Sequence, residues 1–324
     1  MKAAFIEHTG DASGIRFDEL SMPRVGPLDV LVRVEAVAVN HVDTLIRSGR
    51  YPLPLPMPFI IGRDMVGTVE RIGSGVQPFN IGNRVWSNCL GIEGLQGTFA
   101  EFIAAPAERL FHLPDGIEAI EAVAILHSGL TAAMGLFSKT TLRAGETLFV
   151  NGGSSSVGLA VLHVAKSLGA RVAVTAGDEE KAKRCREAGA EVVVDYRHED
   201  IWEAIKGFAP NGLDMYWEIA PGINFERLIP LMAREGRIIF VTGGDEPLPF
   251  PARAFYLRNL SLHGFTVTGA SISELRACAE RINTWLSSGV LKAPIQAVLP
   301  LADAAKAHSL QEAGGLTGKL VLTP

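Results

Sequence analysis

Cysteine is scarce in this 324-residue chain: Cys89, Cys185 and Cys278 stand far apart and form no CxxC pair. That spacing argues against a disulfide framework or a cysteine-built structural zinc, and it fits a reducing, cytoplasmic compartment. No long basic run occurs and the formal net charge is -5, so no nucleic-acid partner is expected. The apolar stretches are of strand length or are broken by Gly, Pro or charge, which predicts no membrane span and no membrane partner. The opening MKAAFIEHTG lacks a long apolar core and a cleavage site and reads as a first strand rather than a signal peptide. Internal repeats and low-complexity tracts are absent as well.

What is present suits a soluble protein of two domains. Hydrophobic residues make up 48% of the chain and charged residues 20%, with both signs interspersed. Residues 1–120 read as mostly β, with apolar runs at 30–39, 65–72 and 99–104 punctuated by Gly, Pro, Asn and Asp. Residues 51–58, YPLPLPMP, hold four prolines and predict a rigid loop, either a cleft wall or a surface connector. From about Pro114 to Gly264 strands alternate with helices. Strands are expected at 147–151, 171–175, 191–194, 213–219 and 237–241, and helices at 157–168 and 178–188. That alternation implies a parallel, doubly wound sheet. Helix and short strands follow from about 265, ending in a strand at 319–322.

The expected strand 147–151 runs into Gly152-Gly153-Ser154-Ser155-Ser156-Val157-Gly158 and then directly into a helix. Small residues let the backbone approach a pyrophosphate, and a helix N-terminus offers free N–H groups with a partial positive charge. Ser155 stands where a middle glycine is usual. A glycine-rich turn with a serine N-cap is the alternative reading. The second strand ends Val174-Thr175-Ala176-Gly177 without the acid that usually holds the ribose hydroxyls of NAD. Asp178, 20 residues past Gly158, stands at the spacing of an NAD-type acid, but with Glu179 and Glu180 it also reads as a first-turn acid of the next helix. Gly177, Lys181 and Tyr196 are then candidates for a 2′-phosphate pocket, which predicts NADPH as the cofactor. An exposed helix lysine is the plainer reading of Lys181.

Several further motifs occur in order: VNHVDTLIRSG at 39–49, GRDMVG at 62–67, Gly73-Ser74-Gly75-Val76, Gly82-Asn83-Arg84-Val85, the glycine loop and Gly318-Lys319-Leu320-Val321-Leu322. With these the chain resembles the zinc-free quinone oxidoreductases of the medium-chain dehydrogenase/reductase superfamily over essentially its whole length. The resemblance implies an α/β protein in which a Rossmann doubly wound parallel sheet domain, 123–264, is inserted in a β-rich GroES-like catalytic domain, 1–122 and 265–324, with a cleft between them. It implies that Asn40 and Thr131 lie beside the nicotinamide, and that Ser154, Ser155, Ser156, Val157 and Gly158 form the pyrophosphate loop. It also places Gly177, Lys181 and Tyr196 at the 2′-phosphate, Val241 on the strand-end loop by the nicotinamide, and Lys319 near the cofactor.

Zinc alcohol dehydrogenases of that superfamily hold catalytic zinc with Cys, His and a further Cys or acid. Here Asn40 stands at the first Cys position and Arg63 at the His position, so no metal is expected; His41 and His127 remain as lone histidines. Without a metal, reducing an electrophilic quinone or α,β-unsaturated carbonyl is easier than oxidising an alcohol, and catalysis would be mainly positioning and desolvation. Asn40 and Tyr51 are the candidate catalytic residues. Tyr51 could donate a hydrogen bond to the acceptor oxygen, or could simply pack. The alternatives are an enoyl-thioester reductase and a non-catalytic NADPH-binding protein. Finally, an apolar late strand expected at 260–268 would be an edge, and relatives pair this edge across a twofold axis, so a homodimer is expected.

Overall fold

The computed structural model describes residues 1–243 and 246–324. The chain divides into two compact units. One comprises Met1–Leu130 with Ala270–Pro324, the other Thr131–Gly269. These divisions fall later than the expected 122/123 and 264/265. The first shifts because Ala119–Ala133 is one continuous helix, whereas the sequence reading ended the first domain near its start. With the π-turn Met134–Lys139 that continues it, this helix is long and apolar enough to cross a membrane, contrary to the expectation from run lengths. Of its most apolar 18-residue stretch, 78% is buried, the behaviour of a core helix.

The first unit is built on a seven-stranded sheet whose centre is Asp29–Val39. On one side that strand pairs antiparallel with Asp64–Ile72, and on the other with Lys319–Thr323. Phe102–Pro106 also pairs with it, three residues later than the strand expected from Phe99. A three-stranded sheet of Arg16–Glu19, Lys2–Ile6 and Phe59–Ile60 lies beside it. Alternating Val30, Val32, Val34, Val37 and Val39 join Met65, Val69, Val85, Leu320 and Leu322 in one apolar core, as a half-buried strand pattern requires.

The second unit holds six parallel strands. In spatial order they are Val192–Asp195, Arg171–Ala176, Thr147–Asn151, Leu213–Glu218, Met232–Phe240 and Ser261–Gly264. Read by chain order, that is third, second, first, fourth, fifth and sixth, the Rossmann doubly wound arrangement. Phe149, Ala173, Val194, Tyr216 and Ile238 project from successive strands into a shared core with Ile205, Phe208 and Leu228. Such near-continuous apolar strands are what burial on both faces demands. The last strand is shorter than the expected 260–268. Its ladder ends where Gly264 meets Phe240, the final residue of its neighbour. Beyond that no partner strand continues among the described residues, and Val267–Gly269 turns into a 3-10 helix.

Candidate functional site

The glycine loop leaves the C-terminal end of the first parallel strand, where ligands of open α/β sheets bind. Ser155 N-caps the helix Ser156–Ser167, its Oγ accepting the Gly158 N–H at 3.0 Å. Ser154 precedes this cap, and Ser156 and Val157 begin the helix. A Cβ on Gly158 would stand 2.4 Å from the Gly152 carbonyl oxygen and 2.6 Å from the Gly153 Cα, so the helix packs on the loop only because that position is glycine.

A polar network behind the loop fixes it. The Gly152 N–H donates to Thr175 Oγ1 at 2.8 Å, and the Thr175 hydroxyl donates to Asn151 Oδ1 at 2.9 Å. Asn151 Nδ2 donates to Glu218 Oε1 at 2.9 Å, and the Tyr216 hydroxyl to Glu218 Oε2 at 2.8 Å. Burial raises the Glu218 carboxyl above its usual range, while these hydrogen bonds act in the opposite direction. Val241, just past the fifth strand, donates its N–H to the Glu218 carbonyl at 3.4 Å. Sequence reasoning missed this network. An acid closing the apolar strand ending at Glu218 was the available signal.

At the end of the second strand the structure brings Gly177 and Tyr196 together, with Lys181 in the first turn of the helix that follows. A Cβ on Gly177 would lie 2.6 Å from the Tyr196 hydroxyl, and Tyr196 is exposed at 51%. Asp178 is the N-cap of Glu179–Glu187, one step before the first-turn position expected of it. It accepts the Lys181 N–H at 2.8 Å and pairs with Lys181 Nζ at 3.0 Å. The hydrogen bonds from Lys181 hold the Asp178 carboxyl below its usual range. Arg197, not singled out from the sequence, lies over the Tyr196 ring at 6.0 Å and supplies a second cation beside Asp178. A polar cavity of about 530 Å3 lined by Arg143, Glu146, Asp214 and Arg237 lies toward the opposite, N-terminal ends of the strands, so it is not part of this arrangement.

The first unit gathers Asn40 and Lys319 with Arg63, expected at the position of a zinc-ligand histidine, and with Asp43 and Asp64, which the reading gave no role at the site. Asn40 precedes the helix His41–Ser48. Its backbone N–H donates to Asp43 Oδ2 at 2.8 Å and its Nδ2 donates to Asp64 Oδ2 at 2.9 Å. Lys319 Nζ donates to the Asn40 Oδ1. Asn40, Asp43, Arg63, Asp64 and Lys319 are all buried. Burial pushes Asp64 up to about 7 and Asp43 up to about 6, and pushes Lys319 down. His127 is pushed down to about 3 by burial and then by the cations of Arg63 and Lys319, and is therefore neutral. Arg63 donates to the Cys89 sulfur at 3.6 Å. Among the described residues no group of three or more His, Cys, Asp or Glu is placed to hold a metal ion. Tyr51 packs against the apolar core of this unit, and Thr131 is buried near the end of the helix Ala119–Ala133.

Comparison with known proteins agrees with both halves of the chain. Residues 26–115 match the alcohol dehydrogenase GroES-like domain, and residues 156–284 match the family described as zinc-binding dehydrogenase. A quinone oxidoreductase of Sus scrofa is 30% identical over 306 residues, covering 94% of this chain and 92% of that protein. A solved mycobacterial structure complexed with NADPH is 30% identical with a TM-score of 0.86, covering 100% of both chains. The Escherichia coli quinone oxidoreductase complexed with NADPH is 25% identical with a TM-score of 0.88, again over 100% of both chains.

Proposed function

The chain belongs to the quinone oxidoreductases of the medium-chain dehydrogenase/reductase superfamily, and from that membership and its loop geometry we propose that it carries hydride from NADPH to a quinone or an α,β-unsaturated carbonyl without a metal. The observation that carries the reading is the glycine loop at the C-terminal strand ends, closed by Gly158 and tied by Thr175. It offers backbone N–H groups and a helix N-terminus to a pyrophosphate. Relatives complexed with NADPH support the choice of cofactor.

In this reading the loop from Ser154 to Gly158 holds the pyrophosphate. Gly177 leaves room for the adenosine ribose, and Lys181, Arg197 and Tyr196 bind the 2′-phosphate. Asn40, Thr131, Val241 and Lys319 orient the nicotinamide, and Tyr51 lies on the acceptor side. The bound nicotinamide supplies the hydride; the chain supplies position and exclusion of water. Metal independence is supported by the chemistry of the buried cluster. The Asn40 amide is already taken by Asp64 and Lys319, and Arg63 and Lys319 place two cations where a third would be repelled. A homodimer joined through the edge strand Ser261–Gly264 completes the reading.

Stopped-flow NADPH oxidation against quinones, alkenals, enones and enoyl thioesters tests it. Turnover with the first three classes is expected. Preference for enoyl thioesters would favour the thioester reductase instead, and tight NADPH binding with no turnover would favour a binding protein.

A further inference from the structure

The Asn40 amide is interposed between two buried opposite charges. Asp64 is 0% exposed, Asn40 2% and Lys319 7%. Among the described ion pairs none joins Lys319 directly to Asp64. Instead Lys319 Nζ donates to Asn40 Oδ1 and Asn40 Nδ2 donates to Asp64 Oδ2 at 2.9 Å. An amide's oxygen and nitrogen ends are nearly the same shape, so packing cannot tell one orientation from its flip. Here chemistry does. An ammonium only donates, so the flipped amide would set its NH2 against the Lys319 ammonium in a site without solvent, and Asp64, whenever it is ionised, would face the amide oxygen as acceptor against acceptor.

The sheet supplies the rigidity. Leu320 pairs with Val39, so the register brings the next residues outward, Lys319 and Asn40, opposite each other. Asp64 pairs with Ala38 on the other side of the same strand. Three strands therefore deliver the three groups, and the Asn40 backbone N–H is itself tied to Asp43 at 2.8 Å.

We propose that Asp64 and Lys319 are positioning residues that clamp the Asn40 amide in one orientation, oxygen toward Lys319 and nitrogen toward Asp64, and so set the face that Asn40 offers in hydride transfer. The proposal rests on the reading of Asn40 as a neighbour of the nicotinamide. Groups that act as one unit are non-additive when mutated. Asp64→Asn and Lys319→Met are therefore made in the wild type and again in the Asn40→Ala background, with folding checked by circular dichroism.

In the wild-type background each is expected to lower kcat by about tenfold or more with a smaller change in KM. In the Asn40→Ala background Asp64→Asn is expected to change kcat by less than about twofold, and Lys319→Met, which also loses its own contact with the nicotinamide, by clearly less than in the wild type. Equal losses in both backgrounds would overturn the clamp.

A second measurement does not depend on turnover. The Asn40 side-chain NH2, assigned by its loss in Asn40→Ala, is followed by 15N NMR hydrogen exchange in the complete chain. Protection in the wild type that falls in Lys319→Met is expected. An unprotected wild-type amide, or equal protection in both proteins, would also overturn it. A wild type that reduces none of the acceptors refutes the oxidoreductase reading, and the exchange result then decides the clamp alone.

Discussion

Thr175 on the second parallel strand holds Gly152 at the end of the first: its Oγ1 accepts the Gly152 N–H at 2.8 Å while its own hydroxyl donates to Asn151 at 2.9 Å. The two strands lie side by side, with Val174 opposite Val150. The glycine loop is therefore anchored from behind by a buried hydroxyl. Thr175→Val keeps the shape and removes both bonds. A buried N–H left unpaired costs about 1–3 kcal/mol. Urea unfolding should show a loss in that range, and NADPH affinity should fall with it. Unchanged stability and affinity would mean that Thr175 does not hold the loop.

In the proposed reading, cofactor choice is decided at the end of the second strand. Lys181 already pairs with Asp178, so part of its charge is spent locally, and Arg197 beside Tyr196 is a second cation. NADPH is expected to bind at least about tenfold tighter than NADH, or about 1.4 kcal/mol. Lys181→Ala should erase much of that preference, and Lys181→Ala with Arg197→Ala should erase more. Equal dissociation constants for the two cofactors in the wild type, read by fluorescence titration, would sink this assignment.

Chelation addresses the metal. The resemblance sets Asn40 and Arg63 at the positions where zinc-binding relatives place ligands, and here both are held in other contacts. Full NADPH-dependent activity is expected after exhaustive chelation and dialysis. One zinc per chain by elemental analysis, lost together with activity, is the contrary result.

The edge strand Ser261–Gly264 exposes Leu262, and Tyr256 and Leu257 are exposed just before it. An uncovered apolar edge invites pairing with a second copy. Leu262→Lys is expected to weaken a homodimer by about tenfold or more. Val267 is a poor site for the same test, because it lies in the 3-10 turn beyond the ladder. Light scattering that gives the mass of one chain for the wild type at micromolar concentration would refute the dimer.

Asp64 makes stability depend on pH in a defined direction. Its pKa rises from 3.8 in the free side chain to about 7 in the fold, burial being the largest cause. The folded state therefore holds a proton that the unfolded chain releases above pH 3.8, and the associated stability is lost as pH rises through about 7. Asp64→Asn has no such proton. Its stability relative to the wild type should improve as pH is raised from about 4 to about 7 and stay level above. A gap that is flat or widens the other way across paired denaturation curves contradicts the assignment.

Much of the nucleotide unit was legible because its signals are local. A strand, a run of small residues and an apolar helix follow one another between Thr147 and Ser167, and the periods of strand and helix differ enough to be read in one dimension. The missing acid after Val174, and the Asn40 and Arg63 where the resemblance expects metal ligands, are also statements about single positions. The late strand was overread because Phe265–Val267 is apolar enough to extend, while its length depends on where the neighbouring strand stops, at Phe240.

The sequence by itself determined the order of elements, the glycine loop and the absence of a cysteine framework, since each depends on neighbours in the chain. Only the tertiary structure decided that Lys319 reaches Asn40 from 279 positions away, that Asp64 faces the same amide, and that Thr175, Asn151 and Glu218 form one chain of hydrogen bonds. Sheet register made those meetings, and register is fixed by pairing between distant strands that no local period encodes.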